Sequence, residues 1–265
     1  MKHMECQIGL VQMPVSDDKA ANLERAHAEI KRAADLGAEL VILPEMFCVP
    51  YVTARFPDYA EEAGGEAQRM MQNAARDYGV WLIGGSICEC EDGRYYNTSY
   101  VYNDKGECVA KHRKAHLFDI DIEGGQYFKE SDVLSAGDGA TVFDSPWGKI
   151  GLGICFDIRF TKQADAMIDS GARMLVYPAA FNMTTGPRHW ELLFRARAVD
   201  GQCVALGVAP ARNTESSYVS WGHTIVVNPW GVVEEDLGTE AVTKVVRVAL
   251  DTVGDVRRQI PLGRK

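Results

Sequence analysis

The chain of 265 residues is 46% hydrophobic and 25% charged with a formal net charge of -9, which suits one well-filled core and gives no basic surface for a nucleic-acid partner. Its seven cysteines, Cys6, Cys48, Cys88, Cys90, Cys108, Cys155 and Cys203, are odd in number and scattered without a CxxC pair, so neither a disulfide framework nor a zinc ribbon is expected, and a reducing, cytoplasmic location is. No apolar run approaches the roughly 20 residues of a membrane span, and Met1-Lys2-His3-Met4-Glu5-Cys6 leads into a strand without an apolar leader.

In chain order, a strand over 6–12 precedes a helix over 19–36, whose apolar positions Leu23, Ala26, Ile30, Ala33 and Ala34 recur at helical spacing and which Gly37 closes. Residues 39–43 read as a buried strand, 66–78 as a second helix closed by Gly79, and 80–87 as the next strand. A meander over 95–102 and 107–111 follows, with turns at Asp92-Gly93 and Asn103-Asp104-Lys105-Gly106. The second half repeats the alternation: a strand through Cys155, a helix near 162–170, a strand over 174–177, a helix over 187–200, and strands near 204–208, 223–228 and 243–249. With no linker, repeat or low-complexity tract, residues 1–265 are expected to form one α/β domain of two sheets packed face to face with helices outside.

Chemistry concentrates at three strand ends. Lys149-Ile150-Gly151-Leu152-Gly153-Ile154-Cys155 alternates as a strand and Phe156-Asp157-Ile158-Arg159-Phe160 opens a helical pattern, which puts the Cys155 thiol on a tight strand-to-helix bend. A helix starting there would aim N–H groups and a positive dipole end at the sulfur, favouring thiolate and offering an N–H to an oxyanion. Taken alone, Cys155 reads better as a small buried hydrophobe. The strand ending Leu43-Pro44-Glu45 and the strand entering Lys111-His112-Arg113-Lys114 change that reading. A carboxylate just beyond a buried strand is partly desolvated and a better proton acceptor, and a lysine beside it stays charged. Glu45 and Lys114 could each be a solvated loop charge; with Cys155 they make a base, a cation and a nucleophile.

Other motifs carry less. His112 and His116 are spaced i, i+4 but lack the Glu of a metalloprotease helix, and Cys88 with Cys90 is a two-ligand pair without partners. Gly151 and Gly153 fit two positions of a dinucleotide fingerprint whose third is the bulky Phe156. Trp190, Phe194, Arg195 and Arg197 read as core and buried salt-bridge material on a helix, with Thr185 and Arg188 as pocket contacts.

On the motifs around Glu45, Lys114 and Cys155, together with Tyr177-Pro178-Ala179-Ala180-Phe181-Asn182, Arg195-Ala196-Arg197-Ala198 and Asn228-Pro229-Trp230-Gly231, the chain resembles the nitrilase (carbon–nitrogen hydrolase) superfamily over essentially its whole length. The resemblance implies a four-layer αββα sandwich and amide hydrolysis through a Cys155 thioester. Glu45 would act as base, and Lys114 with the Phe156 N–H would hold the oxyanion. Glu130, in Phe128-Lys129-Glu130-Ser131, matches the superfamily's additional acid and would orient Lys114; otherwise it is an exposed loop acid. No metal or organic cofactor has a task in this scheme. The superfamily likeness also implies at least a homodimer.

Within the superfamily, Leu117-Phe118-Asp119-Ile120-Asp121 and Ser217-Tyr218-Val219-Ser220-Trp221-Gly222-His223 are most similar to ω-amidases. These would imply a small-molecule substrate, the terminal amide of a short dicarboxylic acid monoamide such as 2-oxoglutaramate or 2-oxosuccinamate. Such a pocket needs a cation for the distal carboxylate. Arg159, about one helical turn beyond Cys155, is the candidate, unless it braces the helix by pairing with an acid. By the same likeness Thr185 would add a hydroxyl, and Phe47 and Tyr51 would wall the pocket or simply pack the core. The alternatives are an amidase for deaminated glutathione, or another small-amide hydrolase, and a catalytically silent scaffold of the same fold.

Overall fold

The computed structural model describes residues 5–123 and 127–264; residues 1–4, on which the expectation of no apolar leader rests, lie outside the described residues. β1 (Glu5–Gln12) leads into α1 (Lys19–Asp35), whose first turn is closed by the Asp18 carboxylate accepting the Ala21 N–H. β2 (Leu40–Ile42), α2 (Phe56–Tyr59), α3 (Glu66–Tyr78), β3 (Trp81–Ile83), β4 (Ile87–Glu91), β5 (Arg94–Tyr102) and β6 (Cys108–Arg113) complete the first half. After the ribbon of β7 (Asp119–Asp121) and β8 (Tyr127–Lys129) come β9 (Thr141–Ser145), β10 (Gly148–Leu152), α4 (Thr161–Asp169), β11 (Met174–Pro178), α5 (Gly186–Gly201), β12 (Val204–Val208), β13 (Ile225–Val227) and β14 (Val233–Asp236). β15 (Val242–Ala249) and α6 (Asp251–Gln259) close the chain.

The first sheet runs β15-β1-β2-β3-β5-β4, with β6 also paired to β5, and the second runs β14-β13-β12-β11-β10-β9. Each has a parallel centre: Leu10 pairs with Ile42 in the first, and Leu152 with Val176 and Val176 with Leu206 in the second. Parallel strands covered on both sides are apolar on both faces, and here the two faces serve different layers. Leu40 and Ile42 join Ile150, Leu152, Met174 and Val176 in the core between the sheets. Val41 turns the other way onto Ile30 and Ala33 of α1, as Leu175 turns onto the layer holding Met167 of α4 and Phe194 of α5. Side-chain alternation along each strand therefore builds the expected helix–sheet–sheet–helix sandwich.

The boundaries differ from expectation where the chain meets distant neighbours. The strand expected over 80–87 breaks at Gly84-Gly85, leaving β3 and β4 on either side. Gly85 has φ +56, and a Cβ there would lie 2.0 Å from the Pro44 carbonyl oxygen, so the break is a close approach between two chain segments. The strand expected through Cys155 stops at Leu152, and that near 223–228 shrinks to β13. Of the basic pair on α5, Arg197 is buried and donates mainly to the Ile158 and Arg159 carbonyls, whereas Arg195 is exposed and pairs with Glu191. The expected buried salt bridges are thus largely bonds to backbone.

Candidate active site

Glu45, Lys114 and Cys155 each follow a strand end. Beyond β2, Met46 takes φ +49 and its N–H donates to Ser86 Oγ at 3.0 Å, which anchors the turn carrying Glu45 against the break between β3 and β4. Beyond β6, the Lys114 N–H donates to the Asn97 carbonyl at 2.8 Å and its own carbonyl accepts from Gly137 at 2.9 Å. Beyond β10, Gly153 lies so close to the Tyr177 ring that a Cβ would meet it at 2.5 Å. This close approach requires the glycine, in keeping with the sequence reading, where Phe156 already spoils the dinucleotide fingerprint. Cys155 then adopts φ +47, in the left-handed region, and opens a 3-10 turn over Cys155–Arg159.

Lys114 is fully buried between two carboxylates. Its Nζ is 2.9 Å from Glu45 Oε1 and 2.9 Å from Glu130 Oε2, and none of the three side chains is exposed. Glu130 also accepts the Phe118 N–H at 2.7 Å and the Tyr51 hydroxyl at 2.5 Å, and Tyr51 lies 3.0 Å from Glu45 Oε1. Burial alone would lower the Lys114 pKa, but the charges of Glu130 and Glu45 hold it above its ordinary range. Burial raises the proton affinity of Glu130, Lys114 opposes it, and Glu45 adds to it, with a net upward shift. Two carboxylates around one ammonium and one phenol thus form a closed polar cluster, in which Glu130 is a buried partner of Lys114 instead of an exposed loop acid.

The thiol differs from expectation. No α-helix begins at Cys155; only the five-residue 3-10 turn follows, and α4 starts later. Burial, then the charge of Glu45, push the Cys155 pKa well above its ordinary value, while Lys114 and a backbone hydrogen bond from Ala180 pull the other way. Burial and the Glu45 charge therefore favour the protonated thiol at rest. Next to it, Glu45 Oε1 is engaged by Tyr51, Asn97 and Lys114, whereas Oε2 has no hydrogen-bond partner among the described residues. A carboxylate with one oxygen held and one free can take a proton from the thiol at the moment a carbonyl carbon is attacked.

Cys155 opens onto a narrow pocket with Phe118, Phe156, Phe181 and Tyr218 as aromatic walls, and Arg159 and Thr185 also line it. Among the described residues Arg159 pairs with no carboxylate. Its Nη2 lies 3.1 Å from His189 Nδ1, and its guanidinium lies 5.4 and 5.3 Å from the Phe156 and Phe181 ring centres. Burial lowers its pKa and Nε has no hydrogen-bond partner, so the helix-bracing ion pair that the sequence allowed is not formed. The Thr185 hydroxyl donates to Asn182 Oδ1 at 3.1 Å just before α5.

Three expectations are corrected. Phe47 is fully buried in the core under α1 and α3 and does not line the pocket. Tyr51 joins the carboxylate cluster through its hydroxyl, a larger part than a wall. Arg188 is exposed and its Nη1 turns back to the Thr184 carbonyl at 3.0 Å. His112 lies within β6 and His116 beyond it, so no helix presents them on one face; both reach Asp157. The sequence reading missed Asn97 and Tyr218. Asn97 had a signal, since an Asn inside an aromatic-rich strand is disfavoured and needs a polar partner if buried. Tyr218, whose hydroxyl donates to the Ala180 carbonyl, sits in a loop with no periodicity to place it.

The family model "Carbon-nitrogen hydrolase" matches residues 7–258. An omega-amidase of Xenopus laevis is 48% identical over 259 residues, covering 98% of this chain and 94% of that protein. The human omega-amidase is 46% identical over the same shares. Among solved structures, Saccharomyces cerevisiae Nit3, described as a member of branch 10 of the nitrilase superfamily, superposes with a TM-score of 0.90 at 37% identity, covering 98% of this chain and 96% of that one.

Proposed function

The chain belongs to the carbon–nitrogen hydrolase family and is an amide-hydrolysing enzyme of the omega-amidase kind, and on that premise we propose that it cleaves the terminal amide of short dicarboxylic acid monoamides, 2-oxoglutaramate and 2-oxosuccinamate among them. Glu45 takes the Cys155 proton and the sulfur attacks the amide carbon. The Lys114 ammonium and the Phe156 N–H hold the oxyanion, and Glu45 returns the proton to departing ammonia. Water, activated by Glu45, then hydrolyses the thioester to the free acid. Glu130 keeps Lys114 oriented and charged between the two steps.

The observation that carries the substrate class is Arg159, a half-buried cation in the Cys155 pocket with no carboxylate partner of its own among the described residues. A guanidinium left unpaired in an aromatic-walled pocket suits a substrate carboxylate. Turning the Thr185 hydroxyl from Asn182 would add a second donor. The test is ammonia release from 2-oxoglutaramate beside release from deaminated glutathione. Turnover of the first and not the second is expected; the reverse assigns the chain to deaminated glutathione, and release from neither revives the silent scaffold.

We further infer one domain acting as a homodimer in the cytoplasm. All seven cysteines are free, and among the described residues no helix is long and apolar enough to cross a membrane. Leu192 and Val199 on α5, with Trp230 and Val232 beside the β13–β14 turn, are exposed apolar side chains that a second copy would cover. A sedimentation profile at monomer mass across working concentrations would contradict the dimer.

A further inference from the structure

Lys114 and Cys155 come from different sheets, β6 in the first and β10 in the second. Strand pairing fixes neighbours within a sheet, but nothing in the ladders sets where the end of one sheet stands against the end of the other. Oxyanion stabilisation depends on that placement.

Asp157 spans the gap. It is completely buried, and each of its oxygens has two partners, one of the four on the Cys155 side and three on the Lys114 side. Oδ2 accepts the Ile154 backbone N–H at 2.9 Å, from the residue before the nucleophile, and contacts His112 Nε2 at 2.9 Å, two residues before the cation. Oδ1 accepts the His116 backbone N–H at 3.0 Å, two residues after the cation, and contacts His116 Nδ1 at 2.8 Å. The Asp157 N–H meanwhile donates to the Ile154 carbonyl at 3.0 Å, so the same residue closes the turn in which Cys155 holds its left-handed φ. That conformation, unusual for a residue with a side chain, persists only where the surroundings over-determine it. The histidines are themselves seated: His112 Nδ1 lies 2.9 Å from Thr141 Oγ1 on β9, and the His116 ring stacks on Phe160 at 3.5 Å.

We propose that Asp157 is a positioning residue of the reaction, a staple that holds the Cys155 bend in register with the Lys114 segment. The inference rests on the nucleophile-and-cation reading above and is independent of which amide is the substrate. Burial would raise the Asp157 pKa, but the bonds from His112 and His116 bring it to about 2, so both oxygens remain acceptors through the neutral range. Asparagine cannot replace it. Each oxygen faces a backbone N–H, so whichever way an amide turned, its NH2 would meet another donor.

The test is Asp157→Asn, with His112→Ala and His116→Ala beside it, assayed on a primary amide from which the wild-type enzyme releases ammonia. Rates are referred to the amount of Cys155 that iodoacetamide labels only when the amide is left out, quantified by peptide mass, so that misfolded molecules, whose exposed thiol is labelled with or without the amide, do not count. In Asp157→Asn, kcat per labelled site should fall about a hundredfold, the cost of roughly 1 Å of misplacement, with KM within about twofold of wild type. Each histidine variant keeps both backbone donors and should lose several-fold in kcat, again without a KM change. A merely structural role would lower the melting temperature and the yield but leave kcat per labelled site at the wild-type value. That result in Asp157→Asn, or in both histidine variants should Asp157→Asn not fold, overturns the staple. A wild-type enzyme active on some other amide but not on 2-oxoglutaramate would overturn the substrate proposal alone.

Discussion

The Asn97 side-chain amide donates to Oε1 of Glu45 at 2.8 Å, from β5, which pairs with β6, the strand that leads into Lys114. It and Lys114 are the two donors on that oxygen, and the Tyr51 hydroxyl, which donates to Glu130, lies 3.0 Å from it. The other oxygen is buried without a partner among the described residues, a condition that costs stability in a core and is useful in a site that must accept a proton.

Asn97→Leu should therefore reduce kcat by about tenfold to a hundredfold with little change in KM, because it frees Glu45 to rotate while leaving the substrate pocket intact. Steady-state kinetics decide it. An unchanged kcat would show that Tyr51 and Lys114 alone hold the base.

Cys155→Ala should abolish hydrolysis with the fold retained, and hydroxylamine added to the wild-type reaction should trap the acyl group as a hydroxamate. Because burial and Glu45 hold the thiol pKa well above its ordinary value, alkylation of Cys155 by iodoacetamide should keep accelerating as the pH rises above neutral. A rate that is already level at neutral pH would mean a resting thiolate, and would return the advantage to the helix-dipole expectation.

Lys114→Ala should lose far more activity than His112→Ala or His116→Ala. The ammonium is a direct donor to the oxyanion, and losing one such donor costs about 3 kcal/mol, on the order of a hundredfold, whereas the imidazoles reach Asp157 and not the carboxylate cluster. The opposite ranking would favour an imidazole base.

Arg159→Met should raise KM strongly for amides carrying a distal carboxylate and affect a short neutral amide much less. Removing one member of a buried charge pair leaves the other unpaired, which commonly costs about 3 kcal/mol, so kcat/KM for the charged substrate should drop about a hundredfold. Equal losses on both amides would make Arg159 a support for the 3-10 turn.

Glu89 predicts an acid-side stability change remote from the chemistry. It is buried and bonded to Thr98 at 2.7 Å, to Arg113 at 2.7 Å and to Lys111. Burial would raise its pKa, but these bonds lower it from 4.5 to about 2. A carboxyl depressed in the folded state contributes its full stability above the unfolded pKa and loses it as the pH falls through the folded one. The wild-type unfolding free energy should thus decline between about pH 4.5 and 2. Glu89→Gln should start about 2 kcal/mol lower, because the Arg113 guanidinium and the Lys111 ammonium lose their buried acceptor and keep only the exposed Glu91, and should lack that component of the slope. Urea unfolding at a series of pH values measures both.

What could be read from the chain alone was whatever is written within one element and its immediate ends. The unbroken apolar runs of β2 and β11 and the helical stripe of α1 call for sheets covered by helices, and a carboxylate, a lysine and a thiol at three strand ends, taken together, mark Glu45, Lys114 and Cys155. The residues that tertiary structure alone placed are those whose partners lie tens of positions away. Gly85 breaks a strand because Pro44 comes against it, and Phe47 and Tyr51 look alike four residues apart although one fills the core and the other bridges two carboxylates. Asn97 and Asp157 serve segments on other strands. The charge state of the thiol belongs to the same class. A local pattern announces a helix end and its dipole, but desolvation is set by everything packed around the sulfur, and at Cys155 burial outweighs the local geometry.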